Sequence, residues 1–351
     1  MKTRGRIVDN QKSSVNARII NVSDAHPSWN WLANRFVRDS MAWYPCSSFD
    51  TQRFSSRLRR PASRVAAAIS ARRLLKQRSG RAVLVSHGPL ATLYSAVFAQ
   101  QDDCLHLAFS FNFTELPTGI RRILFRRYLK RVHRFVVASL MEKALYSDYF
   151  GIEANRIDLL LWSIQPPTAE CSKPARFGSG RYICAIGSQG RDYATLIECM
   201  RLLPAITLVM VASPDCAPRG SIPPNVTIIT NVPLADAMNV LAHSQFMVLP
   251  LRGSAIPCGH VTVVSALHMG KAILATNSTG LHDYLIEGGN AVLVPPDNPK
   301  QLAVQMELLF DDPALCAQLG SNGLEFARNN CMEDNAVAYF RRFLDDNAII
   351  A

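Results

Sequence analysis

The chain has 351 residues, a hydrophobic fraction of 48% and a formal net charge of +11 at pH 7. This length suits two domains, and the apolar content is enough for packed cores, which excludes a disordered protein. No apolar run reaches the roughly 18–20 residues that cross a bilayer, and the basic N-terminus lacks the apolar segment of a secretory signal. The nine cysteines are scattered without a CxxC pair, which favours buried thiols in the cytosol over zinc ligands. We therefore expect a cytoplasmic protein.

Positive charge is concentrated in the first half of the chain. Before residue 179, 28 Lys and Arg stand against 12 Asp and Glu, whereas the remaining residues carry 10 against 15. The densest stretches are residues 53–81 and 121–134, and the second predicts a helix with one basic stripe. Such a stripe is typical of a solvated surface or of a face toward anionic lipid, and nucleic acid fits less well because no recognised binding module accompanies it. The cations of the predicted stripe recur every four residues: Arg122, Arg126, Lys130 and Arg134.

The first half alternates strand-like and helix-like segments. Ser139 followed by Glu142 resembles a capping box, which predicts that a helix over residues 140–150 begins here. Gly151 is expected to end that helix. Residues 163–180 are rich in Pro, Ser and Gly, and we interpret them as a linker between two domains. Short apolar runs predict strands at residues 17–22, 82–86, 105–109 and 135–139.

The second half alternates more regularly, and its strands are short and apolar with little alternation of polar and apolar residues. That pattern is typical of parallel sheets covered by helices on both faces. Asn298 and Pro299 are expected to cap and start a helix, because proline favours the first helical position. The economical interpretation is two doubly wound α/β domains. The predicted strands are residues 182–186, 206–211, 226–230, 246–249 and 272–275, and the predicted helices include residues 193–203, 234–242, 261–269 and 281–286.

Three turns of the second half carry glycines and hydroxyls where strands lead into helices: residues 187–190, 259–262 and 277–280. In doubly wound sheets, ligands bind beyond the carboxyl ends of the strands, where helix N-termini offer free N–H groups. Arg191 follows the first turn and adds positive charge, and Lys271 either joins it or serves at the surface. Each turn alone is ordinary turn chemistry, but together they predict a diphosphate site. We expect Arg191 to be exposed there, so that its replacement barely changes stability.

A resemblance to a known family lies in three runs of the second half: IGSQGRDYATLIECM, PCGHVTVVSALHMGKAILATNSTGLHDYLIEGGNAVLVPPDN and LFDDPALCAQLGSNG. Through these runs, residues 181–330 resemble the donor-binding domain of GT-B glycosyltransferases, most nearly the large family 4 group. A looser match in the first half, VVASLMEKALYSDYFGIEANRI, resembles the last strand and helix of the family's N-terminal domain. The resemblance implies the GT-B fold, an α/β fold in which two doubly wound Rossmann-like domains face a cleft.

The resemblance also implies an activity and a domain organisation. It implies transfer of a hexosyl group from a nucleotide sugar to a lipid-linked or saccharide acceptor, in bacterial polysaccharide or glycolipid synthesis, with retention of anomeric configuration. No DxD motif occurs, so neither a metal ion nor another cofactor is expected. The basic half is expected to hold a cytoplasmic enzyme against the inner face of an anionic membrane. The implied parts are an acceptor-side domain over 1–163, a linker over 164–180, a donor domain over 181–334 and a C-terminal helix over 335–351 that joins the first domain.

Position and resemblance together assign the expected site residues. Arg191 is expected to face the diphosphate. His26 and His87 each follow a strand of the first half, where they serve either as a base or sugar contact or as ordinary loop residues. Asn112 is expected on the acceptor side, and no metal ligand is expected. The expected donor contacts are Gly187, Ser188, Gly259, His260, Val261, Thr262, Ser265, Thr279 and Gly280.

The chain departs from the family pattern at two glutamates. Many members carry them seven residues apart around the second turn, and the corresponding residues here are Cys258 and Ser265. Ser265 still has a hydroxyl that can bond a ribose, more weakly than a carboxylate. The departure leaves two alternatives open, an inactive GT-B binding or partner subunit and a sugar-nucleotide epimerase. A nicotinamide-dependent oxidoreductase is largely excluded, because its first strand should lead into GxGxxG and here leads into NVSDAHPSW.

Overall fold

The computed structural model describes residues 17–24, 31–36, 41–47, 56–76, 81–99, 104–170, 173, 180–255 and 257–349. The described chain forms two compact units. The first contains the described residues up to Phe109, Leu124–Phe135 and those from Phe340 onward, and the second contains Ser110–Ile123 and Val136–Tyr339. His26 lies outside the described residues, as do residues 171–172 and 174–179 of the predicted linker. The domain boundaries expected from the sequence stay a prediction.

Six strands form the first sheet: β1 Ala17–Ser23, β2 Met41–Ser47, β3 Arg81–His87, β4 Leu105–Phe109, β5 Arg134–Val137 and β6 Ile157–Leu159. Their order across the sheet is β2-β1-β3-β4-β5-β6, and the pairs with described register run in parallel. The strand order changes direction between β1 and β3. Such a switch point is where open α/β sheets bind ligands.

Helices separate these strands along the chain: α1 Trp31–Asn34, α2 Ser56–Leu75, α3 Pro89–Phe98, α4 Gly119–Tyr128 and α5 Leu140–Phe150. Short 3₁₀ helices occur at Leu129–Arg131 and Ala154–Arg156. The predicted start of α5 is confirmed, because the Ser139 side chain accepts a hydrogen bond from the Glu142 N–H. Its predicted end is confirmed as well, because Gly151 is the C-cap with φ +69°.

Six strands form the second sheet: β7 Ile183–Ile186, β8 Leu208–Val211, β9 Val226–Ile229, β10 Met247–Leu249, β11 Ile273–Thr276 and β12 Ala291–Val294. Their order is β12-β11-β10-β7-β8-β9, all in parallel. Relabelled from the first strand of this sheet, that is the order of the dinucleotide-binding Rossmann fold, with its switch point between β7 and β10. The predicted α/β class with two parallel, doubly wound sheets is confirmed.

Helices of the second half are α6 Tyr193–Leu202, α7 Leu234–His243, α8 His260–His268, α9 Pro299–Asp311, α10 Pro313–Asn330 and α11 Glu333–Asp346. The Asn298 side chain caps α9 and Pro299 is its first residue, as predicted. Near the end of the chain, the Phe340 ring lies 5.4 Å from Phe36 and 5.6 Å from Trp43, between ring centroids. No helix in the described ranges combines the length and the apolar character needed to cross a bilayer.

The core of the second sheet explains why its strands lack alternation. Cys184 and Ile186 of β7 pack into one apolar cluster, while Ile183 and Ala185 pack into another. Successive residues of a strand point to opposite faces, so both faces of this sheet are covered and every position is apolar. Seven of the eight described cysteines are buried free thiols, as predicted for this part of the chain.

Two predictions of local structure are wrong. The stretch predicted as a helix over 281–286 is instead a 3₁₀ turn at Thr279–Leu281 followed by turns. The predicted basic stripe is broken, because α4 ends at Tyr128 and Arg134 already begins β5. The four-residue repeat of cations continues beyond the point where the backbone stops being α-helical.

The sequence pattern also missed β2 and gave no bounds for α2. Pro45 lies in β2, where a proline argues against a central strand, but β2 is the edge strand of its sheet and tolerates a missing N–H. Pro61 is the sixth residue of α2, beyond the first turn, so it removes one backbone hydrogen bond from the helix.

Candidate functional site

The turn after β7 is built around Gly187. Its φ is +116°, a conformation that favours glycine, and its N–H donates to the Val211 carbonyl at 3.0 Å. The Tyr193 hydroxyl donates to the Gly187 carbonyl. The Ser188 Oγ accepts from the Ser213 N–H at 2.7 Å, which fixes this side chain against the segment after β8. The turn is therefore held by its own neighbours on both sides.

The Arg191 side chain folds back beneath this turn. Only 5% of Arg191 is exposed, so the expectation of an exposed arginine is wrong. Its Nε and Nη2 donate to the Ile186 carbonyl at 3.4 and 3.3 Å, and its Nη1 donates to the Gln189 carbonyl at 3.0 Å. Its Nη2 also donates to Thr262 Oγ1 at 3.1 Å, which joins the turn after β7 to the start of α8.

The Arg191 guanidinium has no anionic partner in the described chain. No carboxylate of the described residues lies within 4.0 Å of it, and burial lowers its pKa below the ordinary value. The neighbouring Cys258 thiol is no substitute, because burial raises its pKa. An arginine stays protonated in a protein, so this is a buried cation without a counter-charge. Such a group is suited to hold an anionic ligand.

Gly187 makes room for this arginine. A Cβ at position 187 would clash with Nη2 of Arg191 and would lie 3.0 Å from its Cζ. Gly259 approaches the same guanidinium from α8, and its Cβ would lie 3.8 Å from Nη1. Two of the glycines predicted at the donor site therefore border Arg191.

The N-terminus of α8 carries no side-chain cap. Gly259 is its N-cap with φ +98°, and a glycine has no oxygen with which to accept a bond from the first turn. The N–H groups of His260, Val261 and Thr262 lie in that turn, before the helical hydrogen bonds begin. Val261 is 51% exposed, so this end of the helix reaches the surface. The uncapped end and Arg191 together offer an anion both N–H donors and a charge.

His260 fixes the neighbouring turn. Its Nε2 lies 2.9 Å from the Gly280 carbonyl oxygen, which only accepts, so Nε2 carries the proton. Its ring centroid lies 5.1 Å from that of Tyr284. Burial lowers the pKa of His260, and the Glu142 carboxylate partly opposes this effect. The imidazole is therefore a neutral donor that ties α8 to the turn at Gly280.

The hydroxyls predicted at the donor site are engaged by the protein itself. Ser265 is 4% exposed, and its Oγ donates to the Val261 carbonyl at 2.8 Å. The Thr279 N–H and Oγ1 both donate to the Ser254 carbonyl, at 2.8 and 3.2 Å. Cys258 is 8% exposed. The Ser265 and Thr279 oxygens keep their capacity to accept a hydrogen bond, but their protons are already used, whereas the Ser188 and Thr262 oxygens act as acceptors.

Asn112 contacts the loop before α8 and also Glu142, a residue that sequence reasoning missed as part of the site. Its Nδ2 donates to the Pro257 carbonyl at 3.1 Å and to Oε1 of Glu142. Glu142 is fully buried, and its oxygens also accept from Tyr146, from the Ser139 hydroxyl and from the Ala138 N–H. The sequence signal was present, since the same Ser139-x-x-Glu142 motif predicted the cap of α5.

The remaining candidates have other surroundings. His87 ends β3 in the first unit, where its Nε2 lies 2.7 Å from Asn21 Oδ1, and burial lowers its pKa to about 4. Lys271 precedes β11 at the amino edge of the second sheet, and its Nζ donates to the Ser244 carbonyl at 2.8 Å. The three glycine-bearing turns lie at the opposite, carboxyl edge. Lys271 is therefore not part of this site.

Comparisons with known proteins show which family and which fold the chain resembles. Residues 183–312 match the family described as Glycosyl transferases group 1. An uncharacterised glycosyltransferase of Methanocaldococcus jannaschii is 27% identical over 93 residues, a match that spans 26% of this chain and 26% of that protein. The resemblance to group 1 glycosyltransferases is thereby confirmed over residues 183–312.

Solved structures show the same fold at low sequence identity. Sucrose-phosphate synthase from Thermosynechococcus elongatus superposes with a TM-score of 0.73 at 15% identity, covering 94% of this chain and 98% of that one. Anabaena HepE in complex with UDP-glucose gives a TM-score of 0.71 at 12% identity, covering 94% and 99%. Identities this low establish the fold alone, which is that of GT-B glycosyltransferases.

Proposed function

We propose that the protein is a glycosyltransferase whose nucleotide-sugar donor binds at the switch point of the second sheet. One observation carries the proposal. Arg191 is a buried cation with no carboxylate within 4.0 Å among the described residues, and it is hydrogen-bonded to Thr262 at the uncapped N-terminus of α8. A diphosphate supplies the negative charge that this arrangement lacks.

The same arrangement supports catalysis of sugar transfer. Negative charge develops on the diphosphate as the sugar leaves, so donors placed there stabilise the transition state more than the ground state. Arg191 and the N–H groups of Val261 and Thr262 are preorganised for this role. The proposal therefore needs no metal ion to neutralise the leaving group.

The chemical class of donor is proposed from the neighbouring structures. HepE has been solved with UDP and with UDP-glucose, and Staphylococcus aureus TarM with UDP. We propose a nucleoside-diphosphate hexose as donor, with uridine as the first nucleotide to test. The acceptor is proposed to be a saccharide or lipid-linked saccharide of a bacterial polysaccharide or glycolipid. Transfer is proposed to retain the anomeric configuration of the sugar and to take place in the cytoplasm.

One observation favours a second candidate, a GT-B subunit that binds a nucleotide sugar without transferring it. The resemblance implies glutamates at the positions that Cys258 and Ser265 occupy, and the Ser265 proton is used on the Val261 carbonyl. A subunit of this kind would bind the donor but release neither product nor free sugar. Binding and turnover therefore separate the two candidates.

A thermal-shift screen with UDP-, GDP-, ADP- and dTDP-sugars tests the donor site. A ligand at 100 times its Kd stabilises the folded state by about 2.7 kcal/mol, which a melting curve resolves readily. We expect one nucleotide class to stabilise the parent, Arg191→Met to lose most of that shift, and Lys300→Ala to keep it. Lys300 is an exposed cation on α9, so it controls for a change of charge. A shift that survives in Arg191→Met contradicts the proposed site.

A further inference from the structure

Helix α4 exposes an apolar face that the sequence pattern did not predict. Ile120 is 76% exposed, Ile123 is 64% exposed and Leu124 is 39% exposed. Residues at i, i+3 and i+4 lie on one side of a helix, so these three side chains form one patch. Phe125, on the other side, is only 1% exposed. The helix is therefore amphipathic with its larger aliphatic side chains turned away from the protein.

Cations flank this patch along the helix, and its own segment of the sequence contains no acidic residue. Arg127 lies seven residues after Ile120 and extends the same face, while Arg121 and Arg126 flank it, all three exposed. The exposed Lys130 and Arg131 follow directly. No Asp or Glu occurs in the sequence between Glu115 and Glu142. The charge of this surface is therefore not neutralised from within its own segment.

Arg122, the first cation of the stripe predicted from the sequence, is not part of this face. Its guanidinium lies 4.1 Å from the centroid of the Tyr149 ring, and its Nη2 donates to the Tyr149 carbonyl at 3.4 Å. Packing thus separates one inward arginine from the outward ones. The outward face mixes exposed isoleucines with arginines, which an ordinary solvated basic helix does not require.

We propose that α4 docks on an anionic lipid bilayer. Ile120, Ile123 and Leu124 would enter the boundary between headgroups and acyl chains, and Arg126 and Arg127 would contact lipid phosphates. Lipid fits better than nucleic acid, because a polyanion attracts the arginines but gives no reason to expose two isoleucines. The proposal goes beyond sugar transfer and does not depend on the donor site.

Vesicle sedimentation of the full chain, without nucleotide sugar, tests this proposal. The parent is expected to bind vesicles of phosphatidylglycerol and phosphatidylcholine, to bind pure phosphatidylcholine far less, and to be released as salt rises. Arg126→Gln with Arg127→Gln should weaken binding by roughly 30-fold, since each cation near an anionic surface contributes about fivefold. Ile120→Ser with Ile123→Ser, made in the parent, should weaken vesicle binding by about tenfold or more.

Matched controls keep the test specific. Arg73→Gln with Lys76→Gln removes two exposed cations at the end of α2 and should leave vesicle binding nearly unchanged. An Ile120→Trp variant should show a blue-shifted emission relative to the parent on addition of anionic vesicles, because its indole would leave water. Equal loss in the control, no loss in the isoleucine variant, or tighter binding to RNA than to vesicles would overturn the proposal. None of these outcomes bears on the donor site, which the nucleotide screen tests separately.

Discussion

At the scale of single residues, Arg191 and Gly187 define the candidate site together. A buried cation without a counter-charge costs folding free energy, and a sequence keeps such a group when a ligand supplies the missing charge. Gly187 makes the position available, because any Cβ there would meet the guanidinium. The donor site thus depends on a residue with no side chain as much as on the arginine.

Loss of the Arg191 side chain should reduce both activity and stability. Arg191→Ala removes a preorganised donor from the leaving diphosphate, so kcat/KM should fall by roughly 10²–10³. It also leaves the Ile186 and Gln189 carbonyls without their donors, at about 1–3 kcal/mol in the free energy of unfolding. Arg191→Lys should recover only part of the activity, because an ammonium cannot reproduce the planar fork. Steady-state kinetics and urea unfolding measure the two effects, and transfer at the parent rate in Arg191→Ala would place the diphosphate elsewhere.

Gly187→Ala should displace the Arg191 guanidinium and so weaken nucleotide binding. The added methyl clashes with Nη2, and the φ of +116° is strained for alanine, so the guanidinium must move off Thr262. We expect nucleotide-dependent stabilisation to fall as in Arg191→Met. Gly180→Ala is the matched control, since a Cβ at Gly180 meets no atom within 4 Å and no positive φ opposes it. If both alanine variants bind nucleotide equally well, Gly187 has no special relation to the site.

Sequence reasoning identified the turns at this scale but not their burial. The glycines, the hydroxyl residues and Arg191 are recognisable in the sequence because an ordinary strand-to-helix turn needs few such residues. Whether Arg191 points outward or beneath its own turn depends on the space that Gly187 and Gly259 leave, which only the packed structure shows. The engagement of Ser265 with Val261 is likewise invisible in the sequence.

At the scale of elements, two segments brace the loop that leads into α8. The segment at Asn112 and the first turn of α5 meet at Glu142, and the Asn112 amide continues to the Pro257 carbonyl. The capping motif of α5 was predictable because it is local. Its second use, holding Asn112, was not, because the two residues are separated by a helix and a strand.

Asn112 and Glu142 should show energetic coupling. Glu142→Gln places an amide N–H against another donor, and removing the Asn112 amide relieves that conflict. The double variant Asn112→Ala with Glu142→Gln should therefore be more stable than the sum of the single variants predicts, by about 1–3 kcal/mol in the free energy of unfolding. Asn112→Ala alone should lower kcat/KM roughly tenfold by loosening the Pro257 loop.

Thr114→Val provides the comparison for this coupling. It removes the hydrogen bond from Thr114 Oγ1 to Gln189 Oε1 in the same segment, at a more exposed position, and nearly conserves volume. We expect it to change stability less than Asn112→Ala and to show no coupling with Glu142→Gln. Strictly additive effects at Asn112 and Glu142 would show that the bond between them does not brace the loop.

At the scale of the whole molecule, the fold was more predictable than its surface. Short apolar strands with little alternation imply parallel sheets, and a parallel sheet of six strands imposes helical crossovers and a switch point. The edge strand β2 was not predicted because its proline is tolerated only at the edge of a sheet, which the sequence does not reveal. The helix α2 was given no bounds because Pro61 lies inside it. The exposed apolar face of α4 was not predicted, because sequence periodicity shows that the two faces of a helix differ but not which face packs against the protein.

The buried histidines of the first unit should make stability depend on pH. Burial lowers the pKa of His87 to about 4 and that of His106 to about 3. Between these values and about 6.5, the ordinary pKa of histidine, the unfolded chain binds more protons than the folded chain. Stability should therefore be unaffected by these groups above pH 6.5 and should fall below it by about 1.4 kcal/mol per pH unit for each histidine. Urea unfolding at pH 5.0, 6.0, 7.0 and 7.5 measures this slope.

A histidine variant shows whether His106 contributes to the pH dependence of stability. His106 is fully buried and its Nε2 lies 2.8 Å from Ser86 Oγ, so His106→Gln keeps a polar group of similar reach without a titrating proton. We expect this variant to be less stable than the parent at pH 7 but to lose stability less steeply as the pH falls from 6.5 to 5. An equal slope in His106→Gln and the parent would show that His106 takes up its proton in the folded state as readily as in the unfolded one.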